Sequence, residues 1–450
     1  MIKIISRKSD LAIIQAKLVG KSISRSNPSL SIEYLYKDTK GDIDLTTPLS
    51  KLPEIGVFTS DLRESLIEND ADIAVHSWKD LPIKLEKGTS VVGTLPRADM
   101  RDVLLVKKNK IDSIKKNKLI KISSSSPRRS YNISAFLNKA VPFDLNKISF
   151  KDIRGNIPTR LNKFISDESD GIVLAKAALD RILENSDKNL KQKIISILNE
   201  TLWMVLPLSK NPCAPAQGAI AIEVKDDSDK IIKLIQNIND VDTYNNVIIE
   251  RSTLEEFGGG CHQKIGVSNE KTSFGDIFTI RGITDENTVL NTRKINRQNE
   301  NENFWREINE DNIFPLNLES YNFFTRKEIR KNISEVSKLK NHNILATRSN
   351  VLDDIKELNP TNNLWTSGIK TWYGLAKRGF WVNGTYDSVG ENQDPGINHL
   401  SKNDKWLKLT HEDSMEFFIK DKLPTYKLIR NEINEDLSKK THFYWMSGSA

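Results

Sequence analysis

The sequence predicts an α/β protein built from mostly parallel sheets that helices cover on both faces. Short apolar runs alternate along the chain with segments whose apolar residues recur at helical spacing, and this alternation is typical of parallel sheets. A length of 450 residues exceeds what one hydrophobic core serves, so about three or four domains are expected. The composition, 38% hydrophobic and 28% charged, is ordinary for a globular chain.

Strand–turn–helix units recur along the first half of the chain. Residues 2–6 form a strand, Ser6–Asp10 a polar turn, and residues 11–23 a helix that Ser9 or Asp10 would cap. The later units comprise strands at residues 73–75, 118–123 and 171–175, a helix that opens at Pro127, a helix over 161–165 and a helix that carries Arg181.

A smaller α+β domain is predicted after these units. Its segments are a strand at 217–224, helices at 228–238 and 242–257, a glycine run at 258–260, and strands at 265–267, 277–283 and 289–295. Residues 296–341, rich in Asn, Glu and Lys, close this domain and form a linker. The pattern is again α/β from residue 342 onward, with strands at 344–348 and 364–368 and a helix at 370–378.

Charge, hydropathy and cysteine content exclude several classes of protein. No segment approaches the roughly 20 apolar residues that span a bilayer, and Met1 leads into a strand without the apolar core of a signal peptide. Only two cysteines occur, Cys213 and Cys261, which argues against a disulfide framework and for a cytoplasmic, reducing compartment. The six histidines lack metal-ligand spacing. The net charge of +7 is spread without a long basic block, which disfavours nucleic acid as a partner.

A polar cluster follows the apolar run Ile73–Val75. It contains His76, Ser77, Lys79 and Asp80, and so combines an imidazole, a hydroxyl, an ammonium and a carboxylate. Ligands of open α/β sheets gather at the carboxyl ends of strands, where this cluster is expected. The alternative interpretation is a solvated loop after a core strand.

Several arginines lie at or near predicted helix N-termini, where they do little for helix stability because the macrodipole disfavours cations there. A guanidinium beside free backbone N–H groups binds carboxylate or phosphate well. The pattern therefore indicates a ligand with many carboxylates or phosphates, although any single arginine could instead pair with a nearby acid at the surface. These arginines are Arg7, Arg128, Arg129, Arg154 and Arg160.

Cys261 follows three glycines and precedes His262, Gln263 and Lys264. The glycines permit a thin, exposed loop, and the neighbouring basic groups would favour the thiolate. Cys261 is therefore a candidate nucleophile or covalent tether, the alternative being an inert loop cysteine. Cys213 lacks this setting and is predicted to be inert.

Eight short motifs, in this order and spacing, resemble the hydroxymethylbilane synthase family, also called the porphobilinogen deaminases. The resemblance covers residues 1 to about 300. The motifs are Ser6–Ala12, Thr39–Asp42, Gly56–Thr59, Asp72–Pro82, Ser124–Arg129, Arg154–Arg160, Ala216–Ala219 and Gly259–Cys261.

The resemblance implies a transferase of tetrapyrrole (haem) biosynthesis. Members of the family join four porphobilinogen molecules head to tail, release ammonia each time, and yield hydroxymethylbilane. They prime the reaction with a dipyrromethane cofactor that a thioether binds to a cysteine, here Cys261. The implied partners are porphobilinogen and the growing polypyrrole chain, without nucleic acid or membrane, and the protein is expected to be a monomer.

The family fold consists of two domains that resemble periplasmic binding proteins of type II, plus a small α+β domain that carries the cofactor. We expect a further α/β segment at the C-terminus. The predicted boundaries are 1–98 with 200–222 for domain 1 on the aspartate side of the cleft, 99–199 for the arginine-rich domain 2, 223–325 for domain 3, 326–341 for a linker, and 342–450 for the last segment.

The resemblance also assigns roles to residues that match the family's motifs. Asp80 matches the catalytic aspartate, which stabilises pyrrole cations and mediates proton transfer, and no metal is expected. The cofactor-binding residues are Cys261, Lys79, Ser125, Ser126, Arg128, Arg129 and Arg154. The substrate-binding residues are Arg7, Ser9, Gln15, Arg160, Arg181 and Gln217. The residues of the loop over the site are Lys51 and Phe58.

Three features depart from the family's pattern. Ile55 replaces a lysine in the loop, Trp78 stands where methionine is commoner, and about a dozen extra residues lie between Arg181 and Gln217. None of them removes a residue assigned to the chemistry, so activity is expected to survive.

The chain also extends beyond the usual length of the family. Residues 342–450 resemble part of uroporphyrinogen-III synthase, which takes hydroxymethylbilane as its substrate, and about 110 residues is short for that fold. We expect a reduced or truncated domain without cyclising activity, the alternative being an appended docking or stability domain. For the whole chain, a non-catalytic binder of an anionic small molecule and a nucleic-acid binder that uses Arg128 and Arg129 are the competing functions.

Overall fold

The computed structural model describes residues 1–38, 59–260, 263–273, 275–296, 309–315, 323–432 and 436–443. The chain divides into two compact units. Unit 1 comprises Met1–Ile295 with Gly396–Leu400, and unit 2 comprises Asn296–Pro395 with Ser401–Ala450.

Three sheets and the helices around them make up unit 1. The strands are β1 (Ile2–Arg7), β2 (Ile32–Lys37), β3 (Ile73–Ser77), β4 (Thr89–Gly93), β5 (Asp102–Lys107), β6 (Leu119–Ser123), β7 (Lys147–Lys151), β8 (Gly171–Ala175), β9 (Thr201–Val205), β10 (Ile220–Lys225), β11 (Gly266–Thr272), β12 (Gly275–Ile283) and β13 (Val289–Asn296). The helices are α1 (Asp10–Ser26), α2 (Ser60–Ile67), α3 (Ile111–Asn117), α4 (Pro127–Ala140), α5 (Ile157–Ser166), α6 (Lys176–Asn185), α7 (Lys188–Asn199), α8 (Asp229–Gln236) and α9 (Val241–Glu255).

The first sheet has the strand order β2-β1-β3-β10-β4. Strand β1 pairs in parallel with β2 and β3, whereas β10 runs antiparallel to both β3 and β4. Ile4, Val75 and Ile222 from three of these strands pack with Val19 and Ile23 of α1 in one buried cluster. This packing fixes the end of β3, where the polar cluster begins.

The second sheet has the strand order β7-β6-β8-β5-β9. All residues of β8 are buried, as its apolar sequence predicts, and so are all residues of β5, including Asp102 and Lys107 at its ends. Strand β9 pairs antiparallel with β5, from Val103↔Val205 to Lys107↔Thr201. The predicted boundaries assigned residues 200–205 to domain 1. Strand β9 lies in the second sheet instead, where it pairs with the free edge of β5. The two strands are about 100 residues apart in the sequence, so no local pattern reveals that they pair.

The third sheet is three-stranded, in the order β11-β12-β13, and β11 and β12 are antiparallel. Leu254 of α9 packs in a buried cluster with Ile265, Val267 of β11 and Ile280 of β12. A small α+β body that follows two helices is the arrangement that the sequence predicts for this region.

A six-stranded sheet in the order β15-β20-β19-β16-β17-β18 forms the centre of unit 2. Its pairings from β20 to β18 are parallel, and β15 is antiparallel to β20. The strands of this unit are β14 (Ile313–Phe314), β15 (Phe324–Glu328), β16 (His342–Ala346), β17 (Asn363–Thr366), β18 (Gly384–Thr385), β19 (Lys405–His411), β20 (Lys422–Arg430) and β21 (His442–Phe443). Its helices are α10 (Arg330–Val336) and α11 (Ile369–Lys377).

Part of the predicted linker, residues 326–341, belongs to this sheet. Strand β15 pairs with β20 from Phe324↔Arg430 to Glu328↔Tyr426, and α10 follows it. The partner strand lies about 100 residues away, so the polar composition of residues 326–341 gave no local sign of the pairing. The mixed α/β class itself is confirmed. Among the described residues, no helix is both long enough and apolar enough to cross a membrane.

Candidate active site

Strand β3 delivers the polar cluster to a short turn at its carboxyl end. A single 3₁₀ turn spans Trp78–Asp80, and the Trp78 N–H donates to the carbonyl of Ala219 at 3.1 Å. The Trp78 ring is buried, and its centroid lies 5.3 Å from the centroid of the Tyr244 ring. Because Trp78 anchors the turn, Asp80 is presented at the surface two residues later, where it is exposed. We call residues 78–82 the Asp80 turn.

Helix α1 supports the end of the same strand. The Gln15 amide is buried and donates to the Ser77 hydroxyl at 2.9 Å. Gln15, predicted to bind substrate, therefore contacts the residue that precedes the Asp80 turn. Ser9 occupies the N-cap position of α1, as predicted, but its side chain makes no capping hydrogen bond. Arg7 is the last residue of β1 and lies within the predicted polar turn that leads to α1.

Basic side chains surround Lys79 and Asp80. Burial lowers the pKa of Lys79, the Asp80 carboxylate opposes that shift, and the guanidiniums of Arg129 and Arg160 add to it. Burial, Arg129 and Arg154 lower the pKa of Arg160 to about 10, although Asp80 opposes them. Burial is the largest cause of both shifts; the guanidiniums act in the same direction, and Asp102 joins Asp80 in opposing the shift of Lys79. An anionic ligand would stabilise the charged forms of both residues.

A buried carboxylate that the sequence analysis did not single out organises two of the predicted arginines. Asp102 begins β5 and is fully buried. It accepts hydrogen bonds from Arg128 Nη2 at 2.8 Å and from Arg129 Nη2 at 2.6 Å. Burial alone would raise the pKa of Asp102, but Arg129 and Arg128 outweigh it and hold that pKa far below the usual range.

Two amides complete the environment of Asp102. Asn211 Nδ2 and Gln217 Nε2 each donate to it at 2.9 Å. Asp102 thus joins three predicted ligand residues, Arg128, Arg129 and Gln217, into one network. The available signal was the acid at the start of the apolar strand Asp102–Lys107, since a buried aspartate requires cationic or N–H partners.

The N-terminus of α4 carries the predicted Ser125 and Ser126. Ser126 is the N-cap residue, accepts from the Arg129 N–H at 3.5 Å, and precedes Pro127 in the first turn, as predicted. Ser125 Oγ instead accepts from the backbone N–H of Ile153 at 2.8 Å. Ser125 therefore joins α4 to the segment that leads to Arg154.

Helix α5 carries Arg160 in its first turns. Asn156 caps this helix by accepting from the Thr159 N–H at 2.9 Å. Arg160 Nε donates to the carbonyl of Gly155 at 2.7 Å, which fixes the guanidinium beside the glycine that precedes the helix. Arg154 lies half-buried just before this turn.

Arg181 lies on α6 and is buried. Its Nη2 donates to the carbonyl of Gly218 at 2.7 Å, and burial lowers its pKa to about 10. Gly218 follows Gln217, so Arg181 reaches the same segment as the Asp102 network. The structure therefore brings most of the predicted arginines to two neighbouring networks, one around Asp102 and one around Lys79, Asp80 and Arg160.

Cys261, Lys51 and Phe58 lie outside the described residues. The chain that leads to Cys261 is described as far as Gly260, and Gly258, Gly259 and Gly260 all have positive φ angles. This run uses backbone conformations that side chains disfavour, as expected of its sequence. Cys213 is fully buried, and burial raises the pKa of its thiol, so it is held as a thiol.

Comparisons with known proteins agree with the predicted family. The family profile described as "Porphobilinogen deaminase, dipyromethane cofactor binding domain" matches residues 2–233. A porphobilinogen deaminase of Prochlorococcus marinus subsp. pastoris is 34% identical over 60% of this chain and 78% of that protein. One from Caldicellulosiruptor saccharolyticus is 37% identical over 59% of this chain and 83% of that protein.

Similarity to solved structures is weaker. A periplasmic sulfonate-binding protein from Methylobacillus flagellatus KT is 12% identical, covers 56% of this chain and 68% of that protein, and has a TM-score of 0.29, too low to support an argument. The family profile and the two relatives confirm both the predicted family and its dipyrromethane cofactor. This chain belongs to the porphobilinogen deaminase family.

Proposed function

We propose that this chain is a hydroxymethylbilane synthase that condenses four porphobilinogen molecules onto a dipyrromethane primer. One observation carries the proposal beyond family membership. Asp80 is exposed on a turn that Trp78 fixes. Its carboxylate interacts electrostatically with Lys79 and Arg160, and Arg129 interacts with both of these cations. One carboxylate among several cations suits a substrate that carries carboxylates and becomes cationic as it reacts.

The residues present fit a dipyrromethane group. The Nε atoms of Arg128 and Arg129 are buried and have no hydrogen-bond partner among the described residues. Unused N–H donors beside an excess of cations are what the acetate and propionate groups of a pyrrole require. Lys79, Arg128, Arg129 and Arg154 would hold these carboxylates, with Ser125 and Ser126 nearby, and Cys261 would provide the thioether. When bound, the cofactor supplies the pyrrole carbon to which the first porphobilinogen is joined.

Asp80 has the central chemical role in this proposal. Loss of ammonia from porphobilinogen leaves a cationic ring, which a fixed carboxylate stabilises strongly where water is partly excluded. The free α-carbon of the terminal pyrrole of the chain then bonds to this cationic ring. The attacking pyrrole becomes cationic in turn and must lose its α-hydrogen as a proton, which the same carboxylate is placed to accept. Lys79 does not form a hydrogen-bonded ion pair with Asp80 within the described part of the chain, so its ammonium is available to a ligand carboxylate.

We propose the remaining substrate contacts from the positions of the predicted residues in the fold. Arg160 and Arg181 have pKa values of about 10 because they are buried, and they stay charged at neutral pH. Arg7 and Ser9 lie where β1 meets α1, and β1 pairs with β3, the strand that leads to the Asp80 turn. Gln15 and Gln217 are held by hydrogen bonds within the fold. We propose that these groups bind the incoming porphobilinogen, the arginines through its side-chain carboxylates.

Substitution of Asp80 by asparagine tests the proposal most sharply. The variant keeps the shape of the side chain but removes its charge and its basicity, so kcat should fall by roughly 100-fold or more. Consumption of porphobilinogen, release of ammonia and formation of hydroxymethylbilane are the measurements.

The matched control is Asp70→Asn, the same substitution at an exposed position before the other end of β3, and it should leave kcat within about twofold. Full activity of D80N would remove Asp80 from its role. Binding of porphobilinogen without turnover by the unsubstituted chain would favour the non-catalytic binder.

For residues 342–450 we propose a reduced uroporphyrinogen-III-synthase-like segment without cyclising activity, the alternative being a docking or stability domain. The parallel strand order β20-β19-β16-β17-β18, which reverses direction at β16, supports the first interpretation. The isomer of the cyclised product shows whether residues 342–450 catalyse cyclisation. Spontaneous closure gives the type I isomer, and a mainly type III product would show that the segment is active. The domain boundaries other than those of residues 200–205 and the linker, the monomeric state and the cytoplasmic location stay predictions.

A further inference from the structure

The Asp80 turn is bound from its backbone side by an arginine of helix α9 in the same unit. Arg251 lies on α9 and is 8% exposed. Its Nη1 donates to the carbonyls of Trp78 at 3.3 Å and Leu81 at 3.2 Å, and its Nη2 donates to the carbonyl of Pro82. Three carbonyls around the residue that is proposed to do the chemistry therefore converge on one guanidinium.

The spacing of residues along α9 explains this contact. Tyr244, Val247 and Arg251 recur at intervals of three and four residues and so share one helix face. Tyr244 and Val247 pack against the buried cluster that contains Trp78. The same face thus holds the Trp78 ring with apolar side chains and the carbonyls of the Asp80 turn with a charged one.

Helix α9 also leads to the glycine run before Cys261. The helix ends at Glu255, and the N–H of Gly259 donates to the carbonyl of Leu254 at 3.1 Å. Gly259 packs so closely on Ile83 that an added Cβ would lie 2.8 Å from Ile83 Cδ1. The residue that follows the Asp80 turn is therefore in contact with the chain just before the cofactor cysteine.

We propose that Arg251 is a positioning residue for the proposed reaction: by holding the carbonyls of Trp78, Leu81 and Pro82, it fixes Asp80 relative to the loop that carries Cys261. The inference rests on the proposed function. A guanidinium suits the task because its planar fork presents N–H groups to several acceptors at once, whereas a lysine ammonium is a compact point charge. The role is distinct from substrate binding, since Arg251 contacts backbone carbonyls from within the fold.

The test compares Arg251→Gln and Arg251→Lys with a matched control, Arg63→Lys. Arg63 is an equally buried arginine of unit 1 whose Nε donates to Thr89 and Glu223. Hydrogen exchange of the Leu81 amide, which donates to the Trp78 carbonyl at 3.2 Å, reports on the turn without requiring activity. Turnover of porphobilinogen is measured per chain that bears the Cys261 adduct, so that incomplete cofactor loading is separated from slow chemistry.

We expect R251Q to exchange Leu81 roughly tenfold faster and to lower kcat by about 10- to 100-fold, with KM within about twofold, because misplacement of a catalytic group by 1 Å has such an effect. R251K should recover part of both losses, and R63K should melt earlier but keep Leu81 exchange and kcat. Unchanged exchange, or faster exchange with kcat equal to that of R63K, would overturn the positioning role. Absence of both adduct and turnover in the unsubstituted chain would instead overturn the proposed function, and Leu81 exchange would then decide the Arg251 contact by itself.

Discussion

Replacement of Asp102 by asparagine is expected to destabilise unit 1 strongly. Asp102 is fully buried and accepts from four groups: Arg128, Arg129, Asn211 and Gln217. Asparagine keeps one acceptor oxygen but turns an N–H₂ group toward donors, and it leaves two guanidiniums, 3% and 7% exposed, without their shared counter-ion. Removal of one partner from a buried ion pair costs about 3–5 kcal/mol.

That cost is a large part of a typical free energy of unfolding, about 5–15 kcal/mol. At roughly 2 °C per kcal/mol for a unit of this size, the melting temperature of D102N should fall by about 6–10 °C. The assay is thermal and urea-induced unfolding followed by circular dichroism at neutral pH. Asp242→Asn is the matched control: Asp242 pairs with Lys271 at 2.7 Å, but both side chains are about half exposed, so the control should lose at most about 1 kcal/mol.

The pH dependence provides a second check on the same variant. The pKa of Asp102 is lowered on folding, so its stabilising contribution is complete above the unfolded pKa of about 4 and is lost as the pH falls from there toward the folded pKa. The difference between the unsubstituted chain and D102N should therefore be constant near neutral pH and narrow below about pH 4. A loss of less than about 1 kcal/mol at neutral pH would show instead that the buried guanidiniums tolerate the absence of their counter-ion.

Two further predictions follow from the titratable groups. KM for porphobilinogen should rise as the pH approaches about 10, because burial and the neighbouring guanidiniums lower the pKa of Arg160 to about 10, and loss of its charge weakens the binding of carboxylates; a KM that stays constant up to that pH would contradict the assignment. Cys213 should resist alkylation by iodoacetamide in the folded chain and react in urea, as peptide mass mapping can show, because burial raises the pKa of its thiol; rapid labelling of folded protein would contradict its burial.

Local sequence patterns predicted the elements that position Asp80. The apolar run Ile73–Val75, the polar residues after it, and the helical spacing of residues 11–23 correspond to β3, the Asp80 turn and α1. Pro127 and Ser126 open α4 as predicted. These features depend on neighbouring residues and on the periodicity of one element, so they can be inferred without the fold.

Partners distant in sequence could not be inferred. The sequence predicts Arg128 and Arg129 as ligand contacts, yet both also donate to Asp102, which lies 26 and 27 residues away in the sequence. Arg251 donates to the carbonyl of Trp78, 173 residues away. Strands β9 and β15 were misplaced for the same reason, since each pairs with a strand about 100 residues away. Tertiary pairing decides these contacts, and local composition carries little information about it.

The intact mass of the full chain, expressed in cells that make porphobilinogen, shows whether Cys261 carries the dipyrromethane primer. We expect an excess over the polypeptide mass equal to two linked pyrrole units, located on Cys261 by peptide mapping and lost in Cys261→Ser. A chain that carries the bare polypeptide mass, or an adduct that persists in the Cys261→Ser variant, would contradict it.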